Sequence, residues 1–171
     1  MPVILRPEQP GDLALLSRGD SQFDDFGPQA ERTSVRPAGL DDAGGLVVLD
    51  DDGVLAGDVS WHYVHWGPTK ASWCPMIGIW IRPSARGRGI GRAAQRQLAE
   101  LFFAHTAVNR VEAHTDVDNL AEQRALEGAG FRQEGMIRGA QWRAGAYRDG
   151  YLYAVLRGDI AVGGIVPRSR V

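Results

Sequence analysis

Residues Ile77 to Glu100, IGIWIRPSARGRGIGRAAQRQLAE, decide how this chain is read. Met76 to Ile81 is a short apolar run rich in Ile and Trp, the pattern of a buried strand, and Pro83-Ser84 ends it. From Gly89 onward Ile90, Ala93, Ala94, Leu98, Leu101 and Phe102 recur at helical spacing, which gives a helix one apolar face. Strand and helix are joined by Arg86-Gly87-Arg88-Gly89-Ile90-Gly91. The first turn of a helix leaves backbone N–H groups unpaired and carries the positive end of the helix dipole. Glycines let a bound group approach those amides, and Arg86, Arg88 and Arg92 add positive side chains, so the segment suits a phosphate or pyrophosphate. A solvated glycine-rich turn is the plain alternative, but cations crowded at a helix start are disfavoured by the dipole unless an anion joins them.

The kind of phosphate is narrowed by what surrounds the glycines. No Lys-Ser or Lys-Thr follows them, which excludes the nucleoside triphosphate P-loop. Gly89-Ile90-Gly91-Arg92-Ala93-Ala94 does fit G-x-G-x-x-A, and Glu112 or Asp116 stands about where a dinucleotide fold needs an acid. Against a nicotinamide or flavin dinucleotide module stand the Pro-Ser-Ala-Arg spacer before the glycines and the short chain left after Asp116.

Strand, then Arg-x-x-Gly-x-Gly as Arg86, Gly89 and Gly91, then an amphipathic helix, resembles the acyl-CoA-binding motif of the GNAT N-acetyltransferase superfamily. Asn119-Leu-Ala-Glu followed by Ala125-Leu126-Glu127-Gly128-Ala129-Gly130-Phe131 resembles that superfamily's next helix and its Gly-Phe exit. The likeness runs from about Ile4 to Asp159 and is strongest to the branch that includes ribosomal-protein N-terminal acetyltransferases. It implies acetyl-CoA as acyl donor, with Arg86, Gly87, Arg88, Gly89, Ile90, Gly91 and Arg92 at the pyrophosphate. It further implies two parallel strands that splay to admit the pantetheine arm, backbone groups of Ile79, Trp80 and Ile81 pairing with that arm, and Asn119 bonded to it. As Asn-x-x-Glu with Glu122, Asn119 is equally explained as a helix cap. The chain departs from the family pattern where Leu126 replaces a common Tyr, the acid for the departing thiolate, and where Glu122 replaces a Ser typical of the N-terminal acetyltransferase branch. These departures keep a non-catalytic acyl-CoA-binding domain as the alternative.

A length of 171 residues with 44% apolar content supports one well-buried domain, read as residues 1–159 with a tail at 160–171. A net charge of -2 without a long basic run argues against nucleic acid as a partner. No apolar stretch approaches membrane-spanning length and no signal-peptide pattern opens the chain. The single cysteine, Cys74, fits a reducing compartment, so a cytoplasmic location is expected, and no metal site is.

In chain order, Val3 to Arg6 reads as a strand, and Asp12 as the N-cap of a short helix from Leu13 to Leu16. Ser17 to Gly45 reads as loops and short helical pieces, where Asp20, Asp24 and Asp25 either attract a cationic amine or are solvated loop charges. Leu46 to Leu49 and the strand from Val54 form a hairpin across Asp50-Asp51-Asp52-Gly53. Trp61, Trp66, Trp73 and Trp80 are better read as packing than as ligand contacts. Arg110 to Thr115 is a strand parallel to Ile77–Ile81 by the length of the crossover, with Glu112, His114 and Asp116 alternating onto one face. Phe131 to Trp142 and Gly145 to Arg157 make a last hairpin.

The expected architecture is a single α/β (α+β) domain whose mixed, mostly antiparallel sheet is flanked by helices. The expected activity is direct acetyl transfer from acetyl-CoA to a primary amine of a small molecule or a protein N-terminus. The amine arrives as ammonium and must lose a proton before it attacks the thioester, and Glu112, His114 and His62 are the candidate bases. The tail leaves room for a homodimer contact.

Overall fold

The computed structural model describes residues 2–16 and 21–160. The strands are β1 (Ile4–Pro7), β2 (Gly44–Leu49), β3 (Leu55–His65), β4 (Trp73–Ile81), β5 (Arg110–Asp116), β6 (Arg132–Arg143) and β7 (Ala146–Leu156). Helix α1 (Ile90–His105) lies between β4 and β5, and α2 (Leu120–Ala129) between β5 and β6. One seven-stranded sheet results, in the order β1-β2-β3-β4-β5-β7-β6. Every neighbouring pair is antiparallel except β4 with β5, which the α1 crossover makes parallel. That single parallel pair overturns the dinucleotide-module alternative, because a doubly wound fold needs a mostly parallel sheet built from repeated crossovers.

Local chemistry sets the turns. Asp50 Oδ1 accepts the N–H groups of Asp52 (3.2 Å) and Val54 (3.0 Å), and Gly53 takes φ 75° where a side chain would be strained. Between β6 and β7 the chain reverses through Ala144 (φ 48°) and Gly145 (φ 81°), the left-handed pair that suits a tight hairpin. Helix α1 lays Ile90, Ala94, Leu98, Ala99, Phe102 and Phe103 on the sheet, and Trp61 meets Phe102 edge to face at 5.4 Å. Leu126 and Ala129 of α2 complete this core, while Leu16, Val47, Leu55 and Trp80 form a smaller one.

Several expectations are corrected. Asp12 is not an N-cap: the 3-10 helix runs Pro10–Leu15 from Gln9, because Pro10 presets its first position. Asp12 sits one turn in, accepting from the Gln9 N–H (2.7 Å) and from Arg6 Nη1 and Nη2 (2.8 and 2.9 Å). Residues 21–43 form turns and bends in place of short helical pieces, tied down by Arg36, which bonds both Glu8 and Asp58. Trp61 and Trp80 are core residues, and Trp73 stacks on His65 at 3.8 Å. Trp66 is 67% exposed yet donates from Nε1 to Glu112. Asp20 and the tail beyond Ile160 lie outside the described residues; Ile160 itself is packed in the core. Among the described residues no helix is long and apolar enough to cross a membrane.

Candidate active site

β4 and β5 pair only at Met76–Glu112 and Ile77–Ala113. Beyond that point β4 stays paired with β3 as far as Ile81, and β5 with β7 as far as Asp116, so each strand keeps one neighbour and loses the other. This is the splay that the resemblance implies, and it follows from holding each strand to an antiparallel partner that twists away from the other. A cleft of about 270 Å³ opens in the gap. Gly78 and Ile79 line it from β4, Ala113, His114 and Thr115 from β5, Gln95 from α1, and Asn119 and Glu122 from the start of α2. Phe23, Asp24 and Phe26, Ser60 and His62 of β3, and Gln141 and Arg143 of β6 line the remainder. Backbone polar groups along a strand edge that has lost its neighbour need another partner, and an amide-bearing ligand arm supplies one.

At one end of this gap stands the start of α1. Gly87 and Gly89 have φ of 74° and 78°, the left-handed region that favours glycine, and Gly89 is the N-cap. The first backbone bond of the helix is Ala93 N–H to Gly89 O at 3.1 Å. The amides of Ile90, Gly91 and Arg92 precede it and have no protein acceptor among the described residues. The arginines divide. Arg86 donates from Nε to the Ile81 carbonyl (2.8 Å), and its Nη2 lies 3.6 Å from Asp24. Arg88 is held by Asp50 (3.0 Å) and Asp51 (3.3 Å), and Arg92 lays its stem over Gly128. A Cβ at Gly91 would meet Ile79 Cδ1 at 3.8 Å and Gln95 Nε2 at 4.0 Å, so this glycine looks toward the cleft wall of β4. Trp80 turns its side chain into the smaller core, leaving only its backbone to a ligand.

The opposite end is stitched together from distant segments. Arg143 is only 7% exposed; it donates from Nη1 to the Phe23 carbonyl and from Nε and Nη2 to Gln141 Oε1 (2.9 and 2.6 Å). Its guanidinium lies 4.4 Å over the Phe26 ring, and the Ala144 N–H reaches the Asp25 carbonyl at 2.9 Å. The strap at residues 23–26 is thereby fastened to the tip of the β6–β7 hairpin. Asp24 faces the cleft, whereas the Asp25 carboxylate caps the Gly27 N–H at 3.0 Å as a loop residue.

Of the three candidate bases, His62 and His114 line the cleft and Glu112 does not. Glu112 is fully buried, with Oε1 accepting from Arg110 Nε (2.5 Å) and Trp66 Nε1 (2.7 Å). It also helps push the neighbouring Cys74 thiol up to about 12, where burial is the larger cause, so that cysteine is inert at neutral pH. The His114 imidazole lies so close over Gly150 that a Cβ there would stand 2.0 Å from Cε1. Burial, then the charge of Arg143, hold His114 below the usual imidazole range, so it is neutral at physiological pH. Asn119 caps α2, its Oδ1 accepting the Glu122 N–H at 3.3 Å, and also faces the cleft. The sequence reading took Glu122 as the other half of that cap and missed it as a cleft residue. Burial raises its carboxyl to about 8, against the opposing effects of Gln95 and Arg143. Phe23, Gln141 and Arg143 were also missed, and no local signal marks them.

Residues 3–132 match the sequence profile of the family described as Acetyltransferase (GNAT) domain. Among curated proteins, "Putative ribosomal N-acetyltransferase YdaF" of Bacillus subtilis is 33% identical over 106 residues, covering 62% of this chain and 56% of that protein. "Probable N-acetyltransferase YjcK" of the same organism is 30% identical over 115 residues, covering 67% of this chain and 61% of its own. The chain thus spans about three-fifths of the length of these relatives. Among solved structures, spermidine N-acetyltransferase from Vibrio cholerae in complex with CoA and spermine superposes with a TM-score of 0.74 at 20% identity, over 92% of this chain and 96% of that one. RimJ of Mycobacterium smegmatis in complex with CoA-disulfide gives 0.72 at 23% identity, over 92% and 83%. At those identities the structural likeness speaks for the fold alone. With its profile match, its one splayed parallel pair and its glycine-opened helix, the chain belongs to the GNAT acetyltransferase domain family.

Proposed function

We propose that the cleft binds acetyl-CoA and transfers its acetyl group directly to a primary amine of a small molecule or a protein N-terminus. The observation that carries this reading is the gap between β4 and β5, which opens beside a helix start whose first amides lack acceptors. The residues fit the donor. The Gly87–Gly89 backbone and the amides of Ile90, Gly91 and Arg92 suit a pyrophosphate, with Arg86, Arg88 and Arg92 as surrounding charge. The backbone of Ile79, Trp80 and Ile81, together with Asn119, suits the amides of a pantetheine arm. Acetyl-CoA supplies the activated acyl group; the chain's residues bind it, orient the amine and move protons.

Direct transfer is favoured because the one cysteine is buried and its thiol is raised, so no activated thiol faces the cleft. His114 is the base in this reading, since a neutral imidazole in the cleft can accept a proton at physiological pH. Glu112 holds Arg110 and Trp66 in place instead, and His62 stands at the acceptor side. Asp24, which Ser21 and Arg86 already engage, adds a carboxylate to that side. The acceptor types named for the spermidine and ribosomal-protein relatives mark the range to be tried. A cytoplasmic setting and self-association as a homodimer belong to the same reading, with no nucleic acid or membrane partner.

The test is a thiol-release assay across polyamines, other small amines and peptides with free N-termini, with calorimetry of CoA alongside. Release with at least one amine is expected. CoA binding without turnover on any amine would instead favour an acyl-CoA-binding domain.

A further inference from the structure

We propose that Glu122 donates the proton taken by the CoA sulfur as the carbon–sulfur bond breaks, a role that rests on the acetyl-transfer reading above. The first ground is where Glu122 sits. In a reciprocal cap, the Glu at the third helical position bonds back to the N-cap amide. Here the Asn119 N–H is already taken by the Asp116 carbonyl at 3.0 Å, so only the Asn119 half of the cap forms. Glu122 lines the cleft, as do Gly78 and Ile79 of β4.

The second ground is what surrounds it. Gln95 of α1 is 1% exposed and lies beside Glu122 with no side-chain hydrogen bond of good geometry among the described residues. Arg143 of β6 is the cation on the facing side, but its donors are occupied by the Phe23 carbonyl and Gln141. His114 and Asp116 of β5, His62 of β3 and Asp24 of the strap are the other titratable groups around the cleft. Glu122 is half-buried, and its desolvation outweighs a neutral amide and an occupied guanidinium, which raises the carboxyl to about 8 while His114 is held below the usual imidazole range. Two groups whose environments set their proton affinities in opposite directions are the arrangement that acid and base roles need.

The third ground is that no tyrosine among the described residues lines the cleft. The Tyr63 hydroxyl donates to the Leu40 carbonyl (2.6 Å), and Tyr153 donates to Glu127 (3.2 Å). Neither lines the cleft, and Leu126 is apolar and fully buried.

The step balances. The ammonium first gives one proton to solvent; the neutral amine then attacks the thioester carbonyl, a carbon–nitrogen bond forms, and the surplus N–H proton passes to His114. The carbon–sulfur bond then breaks with its electron pair on sulfur, and sulfur takes the Glu122 proton. Solvent reprotonates Glu122 and removes the proton from His114, so each ammonium acetylated releases one proton overall.

The test compares wild type, Glu122→Gln and Glu122→Asp in single-turnover acetyl transfer across pH, with acetyl-CoA affinity by calorimetry and a ¹³C NMR titration of the Glu122 carboxyl in wild type. The wild-type rate should fall as pH rises past about 8. Glu122→Gln should lose that fall and be about 100-fold slower, with acetyl-CoA affinity little changed, and Glu122→Asp should recover part of the rate. An active wild type with Glu122→Gln within about threefold of it, well short of the usual loss of a general acid, overturns this proposal alone. A carboxyl that titrates near the ordinary value of about 4.3 overturns it without any turnover measurement. A wild type silent toward every amine overturns the acetyl-transfer reading and this proposal with it.

Discussion

The two ends of the cleft are built in opposite ways. The end proposed for acetyl-CoA is continuous chain: β4, the Arg86–Gly91 loop and α1 follow one another, and their geometry is set by glycines at positive φ and a helix start. The end proposed for the amine joins the strap at residues 23–26, β3 and the tip of the β6–β7 hairpin, and Arg143 holds two of these together. A continuous end distributes ligand binding over many backbone amides, so single side chains there count for little. A stitched end concentrates its geometry in a few clamps, so one side chain there counts for much.

His114 lines the cleft between the two ends' residues, and its removal is among the largest expected effects. His114→Gln should slow single-turnover transfer about 100-fold, the usual scale of a lost general base, with both substrates still binding. The wild-type rate should rise with pH along an acidic limb placed below the ordinary imidazole value of about 6.5, because burial and Arg143 disfavour the charged form. The variant should lack that limb. A limb that persists in His114→Gln assigns it to another group.

Arg143→Met tests the clamp. The strap loses its hydrogen bond at the Phe23 carbonyl and its cation over Phe26, so the amine KM should rise about tenfold, as expected for roughly 1 to 2 kcal/mol of lost charge-assisted bonding. Acetyl-CoA affinity measured by calorimetry should stay unchanged. Loss of both affinities together would break the division of the cleft into two ends.

The smallest effects are expected at the donor end. Gly89→Ala forces a side chain into φ 78°, a strain of about 1 kcal/mol, and should weaken acetyl-CoA binding about fivefold with little change in the amine KM. Arg88→Ala should change acetyl-CoA affinity still less, within about threefold, because Arg88 is partly exposed and already paired with Asp50 and Asp51. An Arg88→Ala loss exceeding that of Gly89→Ala would show that charge, not backbone shape, dominates that end.

The same contrast explains what could be read from the sequence. The strand–loop–helix around Gly89 is local, and its apolar period and glycines announce it, as do the β2–β3 and β6–β7 turns with Gly53 and Gly145. The parallel pairing of β4 with β5 follows from crossover length. The strap does not announce itself, because Phe23 meets Arg143 across most of the chain and neither residue sits in a periodic pattern. Glu112 and His114 share a strand face in the alternation, yet only His114 reaches the cleft; Arg110 and Trp66, distant in sequence, draw Glu112 away. Glu122 was visible as half of a cap. The Asp116 carbonyl occupies the Asn119 amide, a tertiary detail that leaves the reciprocal half of that cap unformed. Pro10 was the local signal that should have moved the first short helix earlier and removed Asp12 from its N-cap.

Gly150 carries no functional group and faces His114 with a bare backbone, where even a methyl would stand 2.0 Å from the imidazole and 2.9 Å from the Thr115 carbonyl. A saturation mutagenesis screen scored on activity should therefore rank position 150 beside 114, although only one of them carries a titratable side chain. A scan that replaces side chains by alanine and passes over glycines would never sample it. An engineer who widened the cleft by remodelling β7 would meet the same constraint: the imidazole is oriented by space left vacant, and filling that space evicts it.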